Sequence, residues 1–215
     1  MDNYGFVKVA AAVPQVAVAD CARNAERIVA LAQQAARRGV ELVAFPELAV
    51  TGYTCADLFG QQTLVDKAEQ SCADIVRMSA GMDCVLVFGT PMRWRGRLYN
   101  CAVVSRGGKI IGIVPKTYLA GNGEFYEPRW FESADKLPGR CVGVDFAGQK
   151  DIPFGVRQLF RVGNALFGVE ICQDLWSPVP QSTWAALAGA QLIINLSASN
   201  SQCDLTGVMW IISTL

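Results

Sequence analysis

The 215-residue sequence contains no histidine, and its charged side chains are few and balanced. Without imidazole, Ser-His-Asp catalysis, Cys-His catalysis and histidine-ligated metal sites are excluded. Nineteen basic and nineteen acidic residues give a formal net charge of zero, which disfavours binding to nucleic acid or to an anionic membrane surface. The longest apolar runs are strand-sized, well short of the roughly 20 residues that a membrane helix requires. With 52% hydrophobic residues, the chain is long enough to form one soluble domain with a substantial core.

Metal and nucleotide motifs are lacking as well. The eight cysteines, at positions 21, 55, 72, 84, 101, 141, 172 and 203, never occur in a C-x-x-C or similar ligand spacing, so we expect no zinc or iron-sulfur site. Neither G-x-x-x-x-G-K-[ST] nor G-x-G-x-x-G occurs, so the sequence predicts no ATP or NAD bound by those motifs. The first residues do not resemble a signal peptide, and we therefore expect reduced cysteines and a cytoplasmic location.

The order of apolar segments predicts an α/β domain. An apolar strand at residues 6–13, an amphipathic helix at 22–38 and a second strand at 40–45 form a β-α-β unit with a parallel crossover. The RGGK segment at 106–109 suits a hairpin turn, so the sheet should be mixed. Residues 119–158 are rich in proline and glycine and predict a long surface loop. Further strands are predicted at 85–89, 98–105, 110–114, 159–162, 165–171 and 192–195, and further helices at 64–76 and 182–188.

Three strand ends carry side chains that can act together in catalysis. Glu47, Lys116 and Cys172 each follow a predicted strand, and side chains at the carboxyl ends of neighbouring strands converge on one crevice. Each alone is ordinary, because such a glutamate is usually a solvated cap, such a lysine a surface residue and such a cysteine a small buried hydrophobe. Together they supply a thiol nucleophile, a carboxylate base in place of histidine, and an ammonium that stabilises both an oxyanion and the thiolate. We therefore expect Cys172 to be the most reactive of the eight thiols. If Glu47 is not the base, the alternative is Glu124 or Glu170.

These residues and the strings around them resemble the carbon-nitrogen hydrolase, or nitrilase, superfamily, and within it the glutaminase domains of glutamine-dependent NAD synthetases. The resemblance runs from the first strand to about residue 200, with several motifs in the same order. It implies an α-β-β-α sandwich in which a cysteine attacks the side-chain amide of glutamine, ammonia is released, and water hydrolyses the thioester to glutamate. The strings that carry the resemblance are ELAVTGY (47–53), KTYL (116–119), EFYE (124–127), EICQDLW (170–176) and NLSAS (195–199).

The resemblance also implies roles for individual residues. Glu47 matches the general base, Lys116 the oxyanion-stabilising lysine and Cys172 the nucleophile. A second glutamate commonly follows the lysine in this superfamily; Glu124, eight positions on, fits best, and Glu127 is the alternative. The residues placed around the substrate are Tyr53 and Ser199 as glutamine contacts, the backbone near Gln173, and Phe125, Tyr126 and Trp176 as walls of the pocket. For these aromatic residues, a place in the ordinary core is an equally good interpretation.

The resemblance ends near residue 200. Residues 1–200 are predicted to form a partial carbon-nitrogen hydrolase domain, incomplete at its carboxyl end. Residues 201–215 read as a divergent tail that lacks the basic segment expected there, including an arginine for the carboxylate of the substrate. The AGNG segment at 120–123 also departs from an expected aromatic contact to the substrate. The ATP-dependent synthetase domain that follows in the family is missing, so we expect no cofactor for this domain and a need for ATP only in that missing domain.

Three functional interpretations remain open. The first is a glutaminase that supplies ammonia to a missing NAD synthetase domain, and the second is a free-standing amidase that acts on another small amide. The third is a catalytically inactive, truncated domain. The family further implies a homo-oligomer. The strand at 192–195 is expected to find its neighbour beyond residue 215, although residues 208–212 can pair with it as a makeshift strand.

Overall fold

The structure is a computed structural model that describes residues 6–198 and 210–213, the last four by their backbone. Eleven β-strands and three α-helices occur within these residues. The strands are β1 (Val9–Ala11), β2 (Leu42–Ala44), β3 (Val85–Trp94), β4 (Arg97–Arg106), β5 (Lys109–Pro115), β6 (Cys141–Phe146), β7 (Gln149–Gly155), β8 (Leu159–Val162), β9 (Ala165–Ile171), β10 (Leu192–Leu196) and β11 (Trp210–Ser213). The α-helices are α1 (Cys21–Arg37), α2 (Gln62–Met78) and α3 (Gln181–Leu187), and 3-10 helices lie at Tyr53–Gly60, Glu127–Arg129, Ala134–Lys136 and Cys172–Trp176.

Two β-sheets pack face to face and carry helices on their outer sides. The large sheet has the strand order β1-β2-β3-β4-β5-β7-β6, and the small sheet has the order β11-β10-β9-β8. Strands β1, β2 and β3 are parallel, whereas β3-β4 and β4-β5 are antiparallel hairpins, so the large sheet is mixed as predicted. Helices α1 and α2 cover the large sheet, and α3 packs on the small one. The predicted α-β-β-α sandwich is confirmed.

Residues that alternate along the strands divide between two apolar cores. In β2, Val43 faces α1 and α2, whereas Leu42 and Ala44 face the small sheet. In β3, Phe88 belongs to the helix side and Val87 to the space between the sheets. Because both faces of these strands are covered, they appear in the sequence as continuous apolar runs. The small sheet completes the inner core with Phe160, Val162, Phe167, Val169, Ile171, Ile194 and Leu196.

Helix α1 follows from its sequence pattern. The side chain of Asp20 accepts a hydrogen bond from the backbone N–H of Arg23 at 3.2 Å, which caps the first turn. Ile28 and Ala32 lie on the buried face, one turn apart. Gly39 adopts a φ of 70° just beyond the helix, a conformation that costs glycine little. Among the described residues, no helix is long and apolar enough to cross a membrane.

The segment predicted as a long loop, residues 119–158, contains two strands. β6 and β7 pair in antiparallel fashion through a tight turn at 147–148, and β7 also pairs with the edge of β5. Val144 and Phe146 in β6 and Ile152 and Phe154 in β7 are buried, while Asp145 and Pro153 between them are exposed. This period of two marks a half-buried sheet edge. The prediction of a loop is therefore wrong for residues 141–155, because the prolines and glycines of this segment obscured the alternation.

The free edge of the small sheet also differs from expectation. β11 lies antiparallel to β10, with Leu192 opposite Ser213 and Asn195 opposite Trp210. The expectation that β10 finds its neighbour beyond residue 215 is wrong, and the makeshift strand predicted at 208–212 is observed at Trp210–Ser213. β10 is thus an interior strand, paired with β9 on its other side.

Candidate active site

The three predicted catalytic side chains lie together at strand ends of the sandwich. Glu47 lies in the turn after β2, Lys116 directly follows β5, and Cys172 directly follows β9. The Nζ atom of Lys116 is 2.7 Å from Oε1 of Glu47, and both side chains are fully buried. The Cys172 thiol is also buried and lies close enough for both charges to alter its pKa. A base, a cation and a thiol therefore share one buried site.

The turn that carries Glu47 is pressed against β3. Leu48 adopts a φ of 51°, and a Cβ atom at Gly89 would lie 2.2 Å from the backbone nitrogen of Leu48. Only glycine permits this approach. The Glu47 carboxylate then accepts hydrogen bonds from Nδ2 of Asn100 at 2.7 Å and from the backbone N–H of Ala198 at 3.1 Å. Sequence reasoning did not identify these three supports, since they come from distant parts of the chain.

The second carboxylate beside Lys116 belongs to Glu127. Its Oε1 accepts hydrogen bonds from Lys116 Nζ at 2.7 Å and from the Tyr53 hydroxyl at 2.6 Å. Its Oε2 accepts one from the backbone N–H of Ala120 at 3.0 Å. Glu124 is exposed, so the preference for Glu124 as second glutamate is corrected to Glu127. The backbone N–H of Glu127 donates to the carbonyl of Ala120 at 3.0 Å and folds the loop back, a turn that spacing along the sequence does not reveal.

The backbone at Cys172 is held in an uncommon conformation. Its φ of 44° lies in the left-handed region, which costs a non-glycine residue on the order of 1 kcal/mol or more. Asp174, two residues later, is buried and accepts backbone hydrogen bonds from Thr117 at 3.1 Å and Tyr118 at 2.7 Å. Its other oxygen accepts from the backbone N–H of Ile171 at 3.1 Å. Asp174 thus joins the loop after the lysine to the turn at the cysteine, and burial raises its pKa to about 7.

Burial and neighbouring charges set the protonation states in the site. Burial raises the pKa of the Cys172 thiol, the Glu47 carboxylate raises it as well, and Lys116 lowers it, so that the pKa is about 11. Burial lowers the pKa of Lys116, but the Glu47 and Glu127 carboxylates raise it above its ordinary value, so Lys116 is an ammonium. Burial also raises the pKa of Glu47 despite the hydrogen bonds it accepts. Lys116 lowers the pKa of the Cys172 thiol, but burial and Glu47 outweigh it, so ionising the thiol requires a base.

The residues predicted around the substrate are dispersed. Tyr53 is half-buried beside the cluster, and the ring of Phe125 meets it edge to face with centroids 6.0 Å apart. Gln173 is half-buried in the 3-10 helix that begins at the cysteine. Ser199 lies outside the described residues. Tyr126 and Trp176, which were predicted to form walls of the pocket, are instead mostly exposed, at 62% and 66%. These two are not enclosed as pocket walls would be.

A cavity of about 340 Å³ opens beside Glu47. Tyr53, Thr54 and Ser197 contribute polar groups to it, and the described part of its lining contains no arginine or lysine. Cys172 is not in the lining, but the Ser197 hydroxyl lies within hydrogen-bonding reach of its thiol. The apolar lining consists of Val13, Val16, Val18, Pro46, Leu48 and Ala49. Across the described ranges 6–198 and 210–213, no group of three or more Cys, Asp or Glu side chains suits a metal ion.

Known proteins resemble this chain in both sequence and fold. The sequence profile of the Carbon-nitrogen hydrolase family matches residues 8–212. A glutamine-dependent NAD(+) synthetase of Mycobacterium leprae is 41% identical over 200 residues, which cover 92% of this chain and 29% of that protein. A crystal structure of a glutamine-dependent NAD(+) synthetase from Cytophaga hutchinsonii has a TM-score of 0.77 at 30% identity, over 90% of this chain and 30% of that one.

An amidase from Nesterenkonia sp. has the same fold, with a TM-score of 0.65 at 21% identity over 89% of this chain and 64% of the amidase. This chain covers 64% of the amidase but only 29% and 30% of the two synthetases. The chain spans about 29% of the length of the Mycobacterium leprae synthetase, so the similarity concerns one part of that protein.

Proposed function

Because this chain belongs to the carbon-nitrogen hydrolase family, we propose that it hydrolyses glutamine to glutamate and ammonia through a thioester on Cys172. One observation supports this above all: the buried Lys116 ammonium is bound by both Glu47 and Glu127, at 2.7 Å each, next to a thiol. Buried ions are costly, and a well-packed apolar cluster would stabilise the fold at least as well. The cluster instead suits a reaction in which negative charge develops on oxygen.

The first half of the proposed reaction forms the thioester. Glu47 accepts the proton of the Cys172 thiol while the sulfur attacks the carbonyl carbon of the amide. The π electrons of the carbonyl move to oxygen, and the Lys116 ammonium, helped by the backbone N–H of Gln173, stabilises this oxyanion. When the carbonyl re-forms, the C–N bond breaks, and the leaving nitrogen takes the proton from Glu47. Ammonia leaves and an acyl group remains on Cys172.

The second half releases the acid. Glu47 accepts a proton from water as the water oxygen attacks the thioester carbonyl, again with the oxyanion beside Lys116. Collapse of this intermediate breaks the C–S bond, and the sulfur of Cys172 regains a proton from Glu47. Lys116 transfers no proton in either half, which agrees with a pKa held above its ordinary value by two carboxylates. Glu127 fixes the ammonium from its other side.

Glutamine is proposed as the substrate because the Mycobacterium leprae relative at 41% identity is a glutamine-dependent NAD(+) synthetase. Tyr53 and Ser199 are the proposed glutamine contacts. We also propose that the ammonia serves an NAD synthetase domain, which uses ATP. The carbon-nitrogen hydrolase domain itself needs no cofactor in this proposal, and the protein is a cytoplasmic homo-oligomer.

The apolar cavity favours a second candidate, an amidase for short aliphatic amides. Most of the cavity wall beside Glu47 is formed by aliphatic side chains, including Val16 and Leu48, and the described lining offers no cation for an α-carboxylate. An amide without charged groups would fit such a wall without leaving a carboxylate unpaired. The two candidates share the chemistry and differ only in what the rest of the substrate must contact.

Ammonia release from a panel of amides distinguishes the candidates. We expect glutamine to be hydrolysed at least about tenfold faster than asparagine, acetamide or butyramide, a margin of roughly 1.4 kcal/mol in transition-state binding. Cys172→Ala is the blank, and Cys84→Ala is the matched control because Cys84 is a buried thiol outside the site. Glu47→Gln should reduce turnover about a hundredfold.

Preference for butyramide over glutamine would transfer support to the second candidate. Equal ammonia release by the wild-type and Cys172→Ala proteins on every amide would contradict both.

A further inference from the structure

Two buried polar residues in the small sheet have no part in the proposed chemistry. Glu170 on β9 and Asn195 on β10 are directly opposite each other in the parallel register, and both are almost completely buried. Nδ2 of Asn195 donates to Oε1 of Glu170 at 3.2 Å, and the backbone N–H of Ser182 donates to Oε2 at 2.8 Å. An interior position between apolar strands would be better filled by an apolar side chain, so this pair calls for an explanation.

The partners of Asn195 fix the orientation of its amide. Besides Glu170, its Nδ2 lies 3.4 Å from the backbone carbonyl oxygen of Cys172. A carboxylate and a carbonyl only accept hydrogen bonds, so the NH₂ group must face them and Oδ1 must face the other way. On that other side, the Ser197 hydroxyl donates to Oδ1 at 2.6 Å. The Ser197 oxygen is therefore held at a defined place.

Ser197 connects this chain of hydrogen bonds to the reacting sulfur. It is buried, it lines the cavity beside Glu47, and its hydroxyl is within hydrogen-bonding reach of Cys172. The hydroxyl proton can turn about the Cβ–Oγ bond from Asn195 toward the sulfur without movement of the oxygen. A thiolate is a stronger acceptor than an amide oxygen, so ionisation of Cys172 favours this turn.

We propose that Glu170 and Asn195 position the Ser197 hydroxyl so that it donates a hydrogen bond to the Cys172 thiolate as that thiolate forms. In this step the thiol proton passes to Glu47, and the proton of Ser197 stays on its own oxygen. In this proposal Ser197 donates to the reacting sulfur, while Glu170 and Asn195 act through it as positioning residues. The inference rests on the proposed function for the role of Cys172 as nucleophile.

The charges around the thiol explain why a neutral donor matters there. Glu47 and Glu127 oppose ionisation of Cys172, and the Lys116 ammonium, which favours it, is already bound by both carboxylates. Tyr53 also lies near Cys172, but its hydroxyl is engaged by Glu127. On the cysteine's own segment, Glu170 and Asp174 are acidic, and their oxygens accept hydrogen bonds from other groups. The hydroxyl of Ser197 adds a donor without adding a charge.

Alkylation of Cys172 by iodoacetamide tests the proposal without relying on turnover. The background is Cys141→Ser, because Cys141 is exposed and its alkylation would compete with that of Cys172. Below its pKa, a thiol reacts in proportion to its thiolate fraction, so a rise of one pKa unit slows alkylation about tenfold at each pH. We expect Ser197→Ala to be about tenfold slower between pH 7 and pH 9 and Ser197→Thr, which keeps the hydroxyl, to restore most of the rate.

A second variant guards against a local packing defect. Asn195→Ala leaves Ser197 in place without its anchor, and we expect a two- to fivefold slower alkylation in the same pH range. Peptide mass mapping follows Cys172 alone, and a thermal melt of each variant confirms that it is folded. Rates of Ser197→Ala and Asn195→Ala equal to the background at every pH would overturn the proposal. Fast, Ser197-dependent alkylation without any ammonia release from glutamine would instead contradict the proposed function and leave the positioning intact.

Discussion

Two contacts join the same pair of 3-10 helices, Tyr53–Gly60 and Glu127–Arg129, in opposite environments. On the inner side the Tyr53 hydroxyl donates to the buried Glu127 carboxylate at 2.6 Å. On the outer side Asp57 binds Arg129 in a bidentate pair at 2.7 and 3.0 Å, with both side chains about two-thirds exposed. The distances are alike, yet water surrounds only the outer pair.

This difference in solvation decides what each contact is worth. Water and salt screen the outer pair, and exposed ion pairs contribute little to folding. The inner contact belongs to a cluster with Lys116 and Glu47 from which water is excluded, so removal of any member leaves a charge without a partner. Substitutions of matched chemistry at the two places should therefore differ widely in effect.

The largest effect is expected for Lys116→Met. The change leaves Glu47 and Glu127 as two buried carboxylates without their shared cation, which should lower the free energy of unfolding by about 3 to 5 kcal/mol. It also removes the oxyanion donor, so kcat should fall by about 10² to 10³. Urea denaturation and ammonia release measure the two losses. Unchanged stability would mean that Lys116 is not the shared partner of both carboxylates.

Glu127→Gln should have the next largest effect, and Glu124→Gln is its matched control. The glutamine at 127 keeps an oxygen for Lys116 and Tyr53 but loses the charge, so ammonia release should fall about ten- to a hundredfold. Glu124 is exposed, and its substitution should change the rate by less than about twofold. Rates of ammonia release by the two variants, measured side by side, show which of the two glutamates the reaction needs. A greater loss at Glu124 would restore the original preference for that residue.

These two glutamates also show where sequence reasoning stops. Glu47, Lys116 and Cys172 can be predicted because each lies just beyond the end of a strand, and the α/β topology then brings strand ends together. Spacing after Lys116 favours Glu124, whereas the place of Glu127 depends on a backbone hydrogen bond to Ala120 that reverses the loop. Neither the periodicity nor the composition of the sequence indicates such a turn.

The same limit applies to the residues behind the site. Gly89 permits a close approach between β3 and the turn after β2, and Ser197 meets Cys172 because β10 lies beside β9. Both facts belong to strand pairing, which a single sequence specifies only through the completed fold. The strands β6 and β7 were missed for a local reason instead, since proline and glycine break the apolar alternation. Architecture was therefore easier to predict than the contacts that refine the site.

The stability of Tyr53→Phe tests the inner contact. Removal of the hydroxyl takes one donor from Glu127 while Lys116 and the Ala120 N–H remain, so the loss of stability should be about 1.5 to 3 kcal/mol, as for a hydrogen bond to a charged group. Ammonia release should fall about fivefold through a less firmly held ammonium. A melting curve and kinetics check both values. A Tyr53→Phe protein as stable as wild type would mean that the inner contact contributes no more to stability than the outer one.

Asp57→Asn tests the outer contact and should have the smallest effect. The Arg129 guanidinium, with the Trp130 indole N–H, holds the pKa of Asp57 at about 2, below its ordinary value. A lowered pKa gives stability that is present above the unfolded pKa and lost only as pH falls through about 2, so the effect of Asp57→Asn should be constant between pH 5 and 8.

Because the Asp57–Arg129 pair is exposed, the melting temperature of Asp57→Asn should fall by about 2 °C or less, and added salt should shrink the difference. Ammonia release should stay within about twofold of wild type, since the Tyr53 hydroxyl still reaches Glu127. A fall in melting temperature larger than that of Tyr53→Phe would show that the outer pair, and not the buried cluster, holds these two helices together.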